Sequence, residues 1–432
     1  MDTRRGTVER QSYESPATPE TRSGRKAKLD IAARVATVAA HVAAERLAKP
    51  TATVGTDVPR GPEAFTKEWL TAVLCRTTPG ARVTGFEFGE KHVGSTSRGR
   101  IELSYDLAGG GAELPPSVWF KSTPTLLTRL ISGLTGASEN EGRFYTQIRP
   151  GLKLLAPNGF HGAAHSRSGR TIVLIEDIGR TRGASFGGPA DRYVTESMAE
   201  SMARELAGYH GALWNTPRFR TDLSWVRTSL AWQQKVNATM PFEKRTLIGI
   251  DRAADVSAPG FEHRRGDVWP AFMRSLELNV AGPTTLLHQD LHAGNWFATR
   301  DGDMGLYDWQ CVARGGWALD FAYAVMSGLT VEDRRRWEGG LLAYYLEQLG
   351  EAGGDPPPFE DAWLLYRQQV FHGLAFWLIT IGAGRLQPDM QPVEISRVNL
   401  ERMTHAVMDL SAFDALNEAT PTSHEMRAAS GA

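Results

Sequence analysis

Asp290 and Asn295 stand five residues apart in the stretch His288-Gln289-Asp290-Leu291-His292-Ala293-Gly294-Asn295, and Asp308 follows shortly after. Between them lie two short runs, Trp296–Arg300 and Gly305–Asp308, separated by Asp301-Gly302-Asp303. An Asp-Gly turn between such runs predicts a β-hairpin. The hairpin folds the chain back, so Asp308 returns beside the loop that carries Asp290 and Asn295. Two carboxylates and one amide oxygen then sit on adjacent backbone segments. Hard oxygen donors of this kind suit Mg²⁺, which takes a few protein oxygens together with phosphate and water. A carboxylate not engaged by metal can accept a proton from an attacking hydroxyl. Phosphoryl transfer calls for both.

Two other readings of the same residues have to be weighed. One is a polar loop whose spacing arose by chance, which the additional Asp308 and Asp320 argue against. The other is metal-dependent hydrolysis with His288, Asp290 and His292 as ligands. Zinc hydrolases gather several histidines from scattered loops, and the remaining histidines of this chain form no comparable cluster.

Around this centre the chain changes character. Residues 1 to about 27 are polar and are expected to be disordered. Residues 28–48 are Ala-rich with Ile31, Val35, Val38 and Val42 at helical spacing. A Pro- and Gly-containing linker follows. From Phe65 the pattern predicts a helix over 65–76 and strands over 83–88, 100–107 and 118–121. A helix over 139–148 and a hairpin turned at Ser166-Arg167-Ser168-Gly169, with its second strand over 171–176, complete this part. Downstream, helices are predicted over 193–215, 317–350, 360–384 and 393–413, with the 296–308 hairpin between the first two. These boundaries give an N-terminal extension (1–60), a small β lobe (61–180), a helical lobe (181–415) and a loose tail (416–432). A small antiparallel sheet holding one helix, followed by a large helical lobe, is an α+β, two-lobed, protein-kinase-like architecture.

The motif His288-x-Asp290-x-x-x-x-Asn295 with Asp308 on the returning strand resembles the catalytic and metal motifs of the aminoglycoside phosphotransferase and choline kinase-like superfamily, closest to its ecdysteroid-kinase-like branch. Asp308-Trp309-Gln310 stands where protein kinases have Asp-Phe-Gly, and Gly315-Gly316-Trp317-Ala318-Leu319-Asp320 is similar to the family's glycine-then-Asp segment. The resemblance implies Asp290 as catalytic base, Asn295 and Asp308 as Mg²⁺ ligands, and His288 and Asp320 as structural supports. It also implies an ATP or GTP site in the small lobe. There Lys121 would contact the α- and β-phosphates, with Glu141 rather than Glu139 as its helix partner. Gly94, Ser95 and Thr96 would lie in the loop over the phosphates, although the small lobe contains no G-x-G-x-x-G. Leu174-Ile175-Glu176-Asp177-Ile178 resembles the hinge that holds adenine, which makes Glu176 and Ile178 nucleotide-binding candidates. The activity implied is ATP-dependent phosphorylation of a hydroxyl on a small acceptor. A catalytically silent nucleotide-binding regulator and a protein kinase are the alternatives.

Composition excludes other classes. The chain has 432 residues and a formal net charge of -1, so no global field draws it to nucleic acid or to anionic lipid. Two cysteines are too few for a disulfide scaffold or a structural zinc site, which favours a reducing cytoplasmic setting. Gly89 to Thr96 nearly spells a phosphate-binding loop, but Ser95 stands where that motif needs lysine. The apolar run Phe371 to Ile381 is shorter than the ~20 residues a membrane-spanning helix requires, and is read as a buried helix.

Overall fold

The computed structural model describes residues 19–93, 96–106, 114–188, 192–384 and 391–418. The small lobe is a five-stranded antiparallel sheet built from β1 (Val83–Val93), β2 (Ser97–Tyr105), β3 (Ser117–Ser122), β4 (Gly159–His165) and β5 (Arg170–Glu176), in the order β1-β2-β3-β5-β4. One face is covered by the Lys67–Leu74 helix, whose Thr66 cap accepts the N–H of Trp69. Trp69, Phe65, Phe120 and Ile101 fill the space between them. On the other side sits the Ala137–Arg143 helix. It lies so close to β4 that a methyl group on Gly162 would fall 2.4 Å from the carbonyl oxygen of Gly142. This approach, which only glycine allows, sets the depth at which Glu141 enters the cleft.

The helix Pro19–Ala48 begins about two and a half turns before the predicted Ala-rich segment, so residues 19–27 are helical rather than disordered. Its far end is pinned to the small lobe. Arg129, 1% exposed, donates to Glu45 at 2.6 Å and to the Thr123 carbonyl at 3.0 Å. Arg129 lies on a helix, Leu126–Thr135, that sequence periodicity did not bring out.

The large lobe is mostly helical and surrounds one continuous core. The predicted 317–350 helix is two helices, Ala318–Gly328 and Val331–Glu351, broken where Thr330 caps the second by accepting the N–H of Asp333. The predicted 360–384 helix is likewise Phe359–Gln368 followed by Phe371–Ile381. Between the Glu196–Ala212 helix and the hairpin there are three further helices: Ser229–Asn237, Phe242–Arg252 and Val268–Asn279. The short strands β6 (Ser185–Phe186), β7 (Thr285–Leu287), β8 (Trp296–Ala298), β9 (Met304–Leu306) and β10 (Ala313–Gly315) lie beneath the small lobe. Among them, β8 and β9 form the expected hairpin, and β7 pairs with β10. No helix among the described residues is long and apolar enough to cross a membrane.

Candidate active site

β7 ends at Leu287 and delivers the loop 288–295 into the cleft. Asp320, fully buried near the start of the Ala318–Gly328 helix, holds the loop by its backbone. Its carboxylate accepts the N–H of His288 at 2.6 Å and that of Gln289 at 2.9 Å, together with the Tyr209 hydroxyl at 2.6 Å. These bonds stabilise the left-handed conformation of Gln289 (φ 66°). Burial alone would raise the Asp320 carboxyl. Hydrogen bonds from His210 and Tyr209 outweigh it and hold the group below its ordinary value.

His288 ties two segments together. Its Nε2 donates to the Tyr307 carbonyl at 3.0 Å, so Nδ1 is free to accept the Asp290 N–H at 3.3 Å. The ring is fully buried and packs edge-on against Trp309. Spent in this way, His288 cannot ligate a metal. Among the described residues no group of three or more His, Cys, Asp or Glu side chains is placed to hold one, which disfavours the zinc-hydrolase reading.

Asp308 lies just past β9 in the left-handed region (φ 62°, ψ 57°), and this turns its carboxylate toward the small lobe. There Lys121, on β3, donates to Asp308 Oδ1 at 2.7 Å and pairs with Glu141 at 2.8 Å. Glu139 pairs with Arg143 instead, so Glu141 is the helix carboxylate that reaches the lysine. Burial would lower the Lys121 ammonium. Asp308 and Glu141 outweigh it and keep the group above the ordinary lysine range. Glu141 itself is pushed up by burial, with Lys121 opposing. A stacked pair supports this arrangement: Phe144 and Trp309 lie 4.0 Å apart at 5°. Phe144 follows the Glu141 helix and Trp309 follows Asp308, so the stack fixes both acids from behind. The sequence spacing 141-to-144 and 308-to-309 contained this signal, but nothing in it said that the two aromatics meet.

Asn295 Nδ2 donates to the Asp290 carbonyl at 2.7 Å, which leaves its amide oxygen available. Tyr307 closes the loop through a hydrogen bond from its hydroxyl to the Gly294 carbonyl. The Asp290 side chain is about 20% exposed. The Tyr323 hydroxyl stands 3.5 Å from its Oδ1 and His292 Nε2 stands 3.9 Å away. Trp377 packs edge-on against His292. Tyr323 had no site role in the sequence reading, and His292 entered it only as a ligand in the metal-hydrolase alternative.

The remaining candidates are less direct. The Glu176 side chain is engaged by Arg182 at 2.9 Å and Thr181 at 2.7 Å, and its N–H donates to the Asn158 carbonyl at 2.8 Å. The Ile178 carbonyl accepts the N–H groups of Arg182 and Ala184. Any nucleotide contact there would fall to the Glu176 carbonyl and the Ile178 N–H. Thr96 is buried just before β2. Gly94 and Ser95 lie outside the described residues.

A model of the phosphotransferase enzyme family, which is named for the aminoglycoside phosphotransferases, matches residues 111–359, more than half of the chain. The chain belongs to this phosphotransferase family. The match is to the family as a whole rather than to the ecdysteroid-kinase-like branch. Solved structures similar to this phosphotransferase include a Ralstonia eutropha JMP134 protein named for the aminoglycoside phosphotransferases. It is 13% identical with a TM-score of 0.47, over 81% of this chain and 97% of that one. The macrolide 2'-phosphotransferase MphH of Brachybacterium faecium is 14% identical with a TM-score of 0.40, over 72% and 91%. The choline kinase LicA of Streptococcus pneumoniae is 15% identical with a TM-score of 0.39, over 76% and 94%. No curated protein matches the phosphotransferase chain.

Proposed function

We propose that this phosphotransferase moves the γ-phosphoryl group of ATP to a hydroxyl of a small organic acceptor. The observation that carries the reading is Lys121, held at once by Glu141 and Asp308. It joins the small lobe, where a nucleotide would lie, to Asp308 at the end of the hairpin that follows the Asp290 loop. Lys121 would meet the α- and β-phosphates, and the Glu176–Ile178 segment would hold the base through its backbone.

Asn295 and Asp308 fit a small hard cation. The Asn295 oxygen is freed by the anchoring of its nitrogen, and Asp308 keeps an oxygen beyond the one that meets Lys121. Mg²⁺ commonly takes only one or two carboxylates plus substrate phosphates. When bound there it would neutralise charge developing on the transferred phosphate. Asp290 would orient the acceptor hydroxyl and accept its proton. Its neighbours there are aromatic, Tyr323 and His292 with Trp377 behind, which favours an apolar or aromatic alcohol over a polycationic aminoglycoside.

Only residues 309–317 separate Asp308 from the next helix, too short for the activation segment of a protein kinase. Cys75 and Cys311 are both free, which supports a reducing, cytoplasmic setting. The test is release of ADP from ATP, or of GDP from GTP, with Mg²⁺ against a panel of alicyclic, aromatic and aliphatic alcohols, sugars and aminoglycosides. Acceptor-dependent ADP release is expected. Nucleotide binding without turnover on any acceptor would favour a silent regulator, and preference for a peptide library would favour a protein kinase.

A further inference from the structure

We propose that Arg98 is a second phosphate-binding cation, which grips the terminal phosphates of the nucleotide from β2; this rests on the nucleotide reading above. In the β2–β3 pair Arg98 stands directly opposite Lys121. Residues opposite each other on antiparallel strands project to the same side of the sheet, so the arginine shares the cleft side with the lysine. It sits one residue past Ser97, which closes the β1–β2 pairing opposite Val93.

Its position is rigid. At the next residue, Gly99, a methyl group would fall 2.7 Å from the Glu90 carbonyl and 2.9 Å from the Phe120 ring. The strand is therefore pressed between its neighbour and the core. The side chain of Arg98 is exposed, and its guanidinium makes no hydrogen bond or ion pair among the described residues. Its charge nevertheless acts on Glu141, Tyr307 and Asp308, so the guanidinium lies within electrostatic reach of the lysine's partners.

The charge balance leaves room for such a group. Lys121 is shared between two carboxylates, and Asp290 adds a third, so the lysine brings no surplus positive charge to a triphosphate. Mg²⁺ would offset part of the phosphate charge; Arg98 adds to it, and its planar fork matches two phosphate oxygens at once. This explains how a small lobe without a glycine-rich G-x-G-x-x-G signature can still hold phosphates: a strand arginine replaces part of what loop amides would do.

Calorimetric titration of Mg-ATP, Mg-ADP and AMP into the wild-type protein, Arg98→Ala, Arg98→Gln and Arg98→Lys tests the assignment. The Ala and Gln variants should bind Mg-ATP about tenfold or more weakly while AMP affinity stays within about twofold, and Lys should recover part of the loss. Unchanged AMP binding also shows that the variants are folded, and a purely structural role would weaken both nucleotides alike. Equal Mg-ATP affinity in wild type and both neutral variants overturns the proposal. If the wild-type protein binds no nucleotide, the kinase reading itself falls and takes this assignment with it.

Discussion

The carboxylate of Asp320 accepts the backbone N–H groups of both His288 and Gln289, at 2.6 and 2.9 Å, although it touches none of the groups proposed to react. A buried carboxylate with four donors cannot be replaced by an amide without turning an N–H against an N–H. Asp320→Asn should therefore lose about 3 kcal/mol of stability or more in urea unfolding. It should also lower kcat in whatever fraction remains folded, because the loop loses the contacts that hold Gln289 in its left-handed conformation.

On the proposed reading Asp290, rather than Glu141 or Asp308, meets the acceptor. Asp290→Asn keeps the shape and removes the proton acceptor. Turnover should fall by about 10²- to 10⁴-fold, with Mg-ATP affinity nearly unchanged. Wild-type rates in this variant would remove Asp290 from the mechanism.

Lys121 and Glu141 are both nearly buried, so Lys121→Met strands the Glu141 charge, whereas Glu141→Gln leaves Lys121 still paired with Asp308. Lys121→Met and Glu141→Gln should both destabilise the protein, the first by about 3 kcal/mol or more because two carboxylates lose their counter-charge. The double variant should be less destabilised than the sum of the two, and a double-mutant cycle followed by thermal unfolding measures this coupling. Additive effects would mean that the pair is not formed in solution.

His372 and His161 carry the expected pH dependence. His372 is fully buried with Nε2 against the Gln289 carbonyl at 2.9 Å, and burial pulls its pKa down to about 4; His161 is drawn down to about 4 by burial and by Arg76. Each ring is neutral in the folded chain at a pH where the unfolded chain already binds a proton. Their contribution is complete above the unfolded value of about 6.5 and is lost as pH falls from there toward 4. Unfolding free energy should thus decline across that window, by up to about 3 kcal/mol for His372. His372→Gln, which can still donate to Gln289, should flatten the decline. An identical slope in that variant would rule His372 out as its source.

Much of the site was visible in the amino-acid order because its chemistry is local. Asp290 and Asn295 share one loop, and Asp308 returns across an Asp-Gly hairpin, so spacing alone brings them together. Glu141 was separable from Glu139 by the aromatic pair that follows it. The helices over 229–279 were not visible. Pro241, Gly249, Gly260, Gly266 and Pro270 punctuate them, and Phe242–Arg252 buries only Arg245, Thr246, Gly249 and Ile250, which is no apolar stripe. The break at Thr330 was legible in principle, since Thr330 and Asp333 make a capping pattern, but the apolar periodicity on either side masks it. Arg98 and Tyr323 gave no sequence signal because what defines each is a neighbour about 23 or 33 positions away (Lys121 and Asp290).

The short connection from Asp308 to the Ala318–Gly328 helix has a consequence for control. Protein kinases are switched by a mobile segment at this point, which phosphorylation orders. Here the residues are committed to a 3₁₀ turn and to β10, which pairs with β7. Between Asp308 and Ala318 no stretch is left over for another enzyme to modify and swing into place. On the proposed reading, the piece that carries the switch in protein kinases is here part of the standing framework of the site.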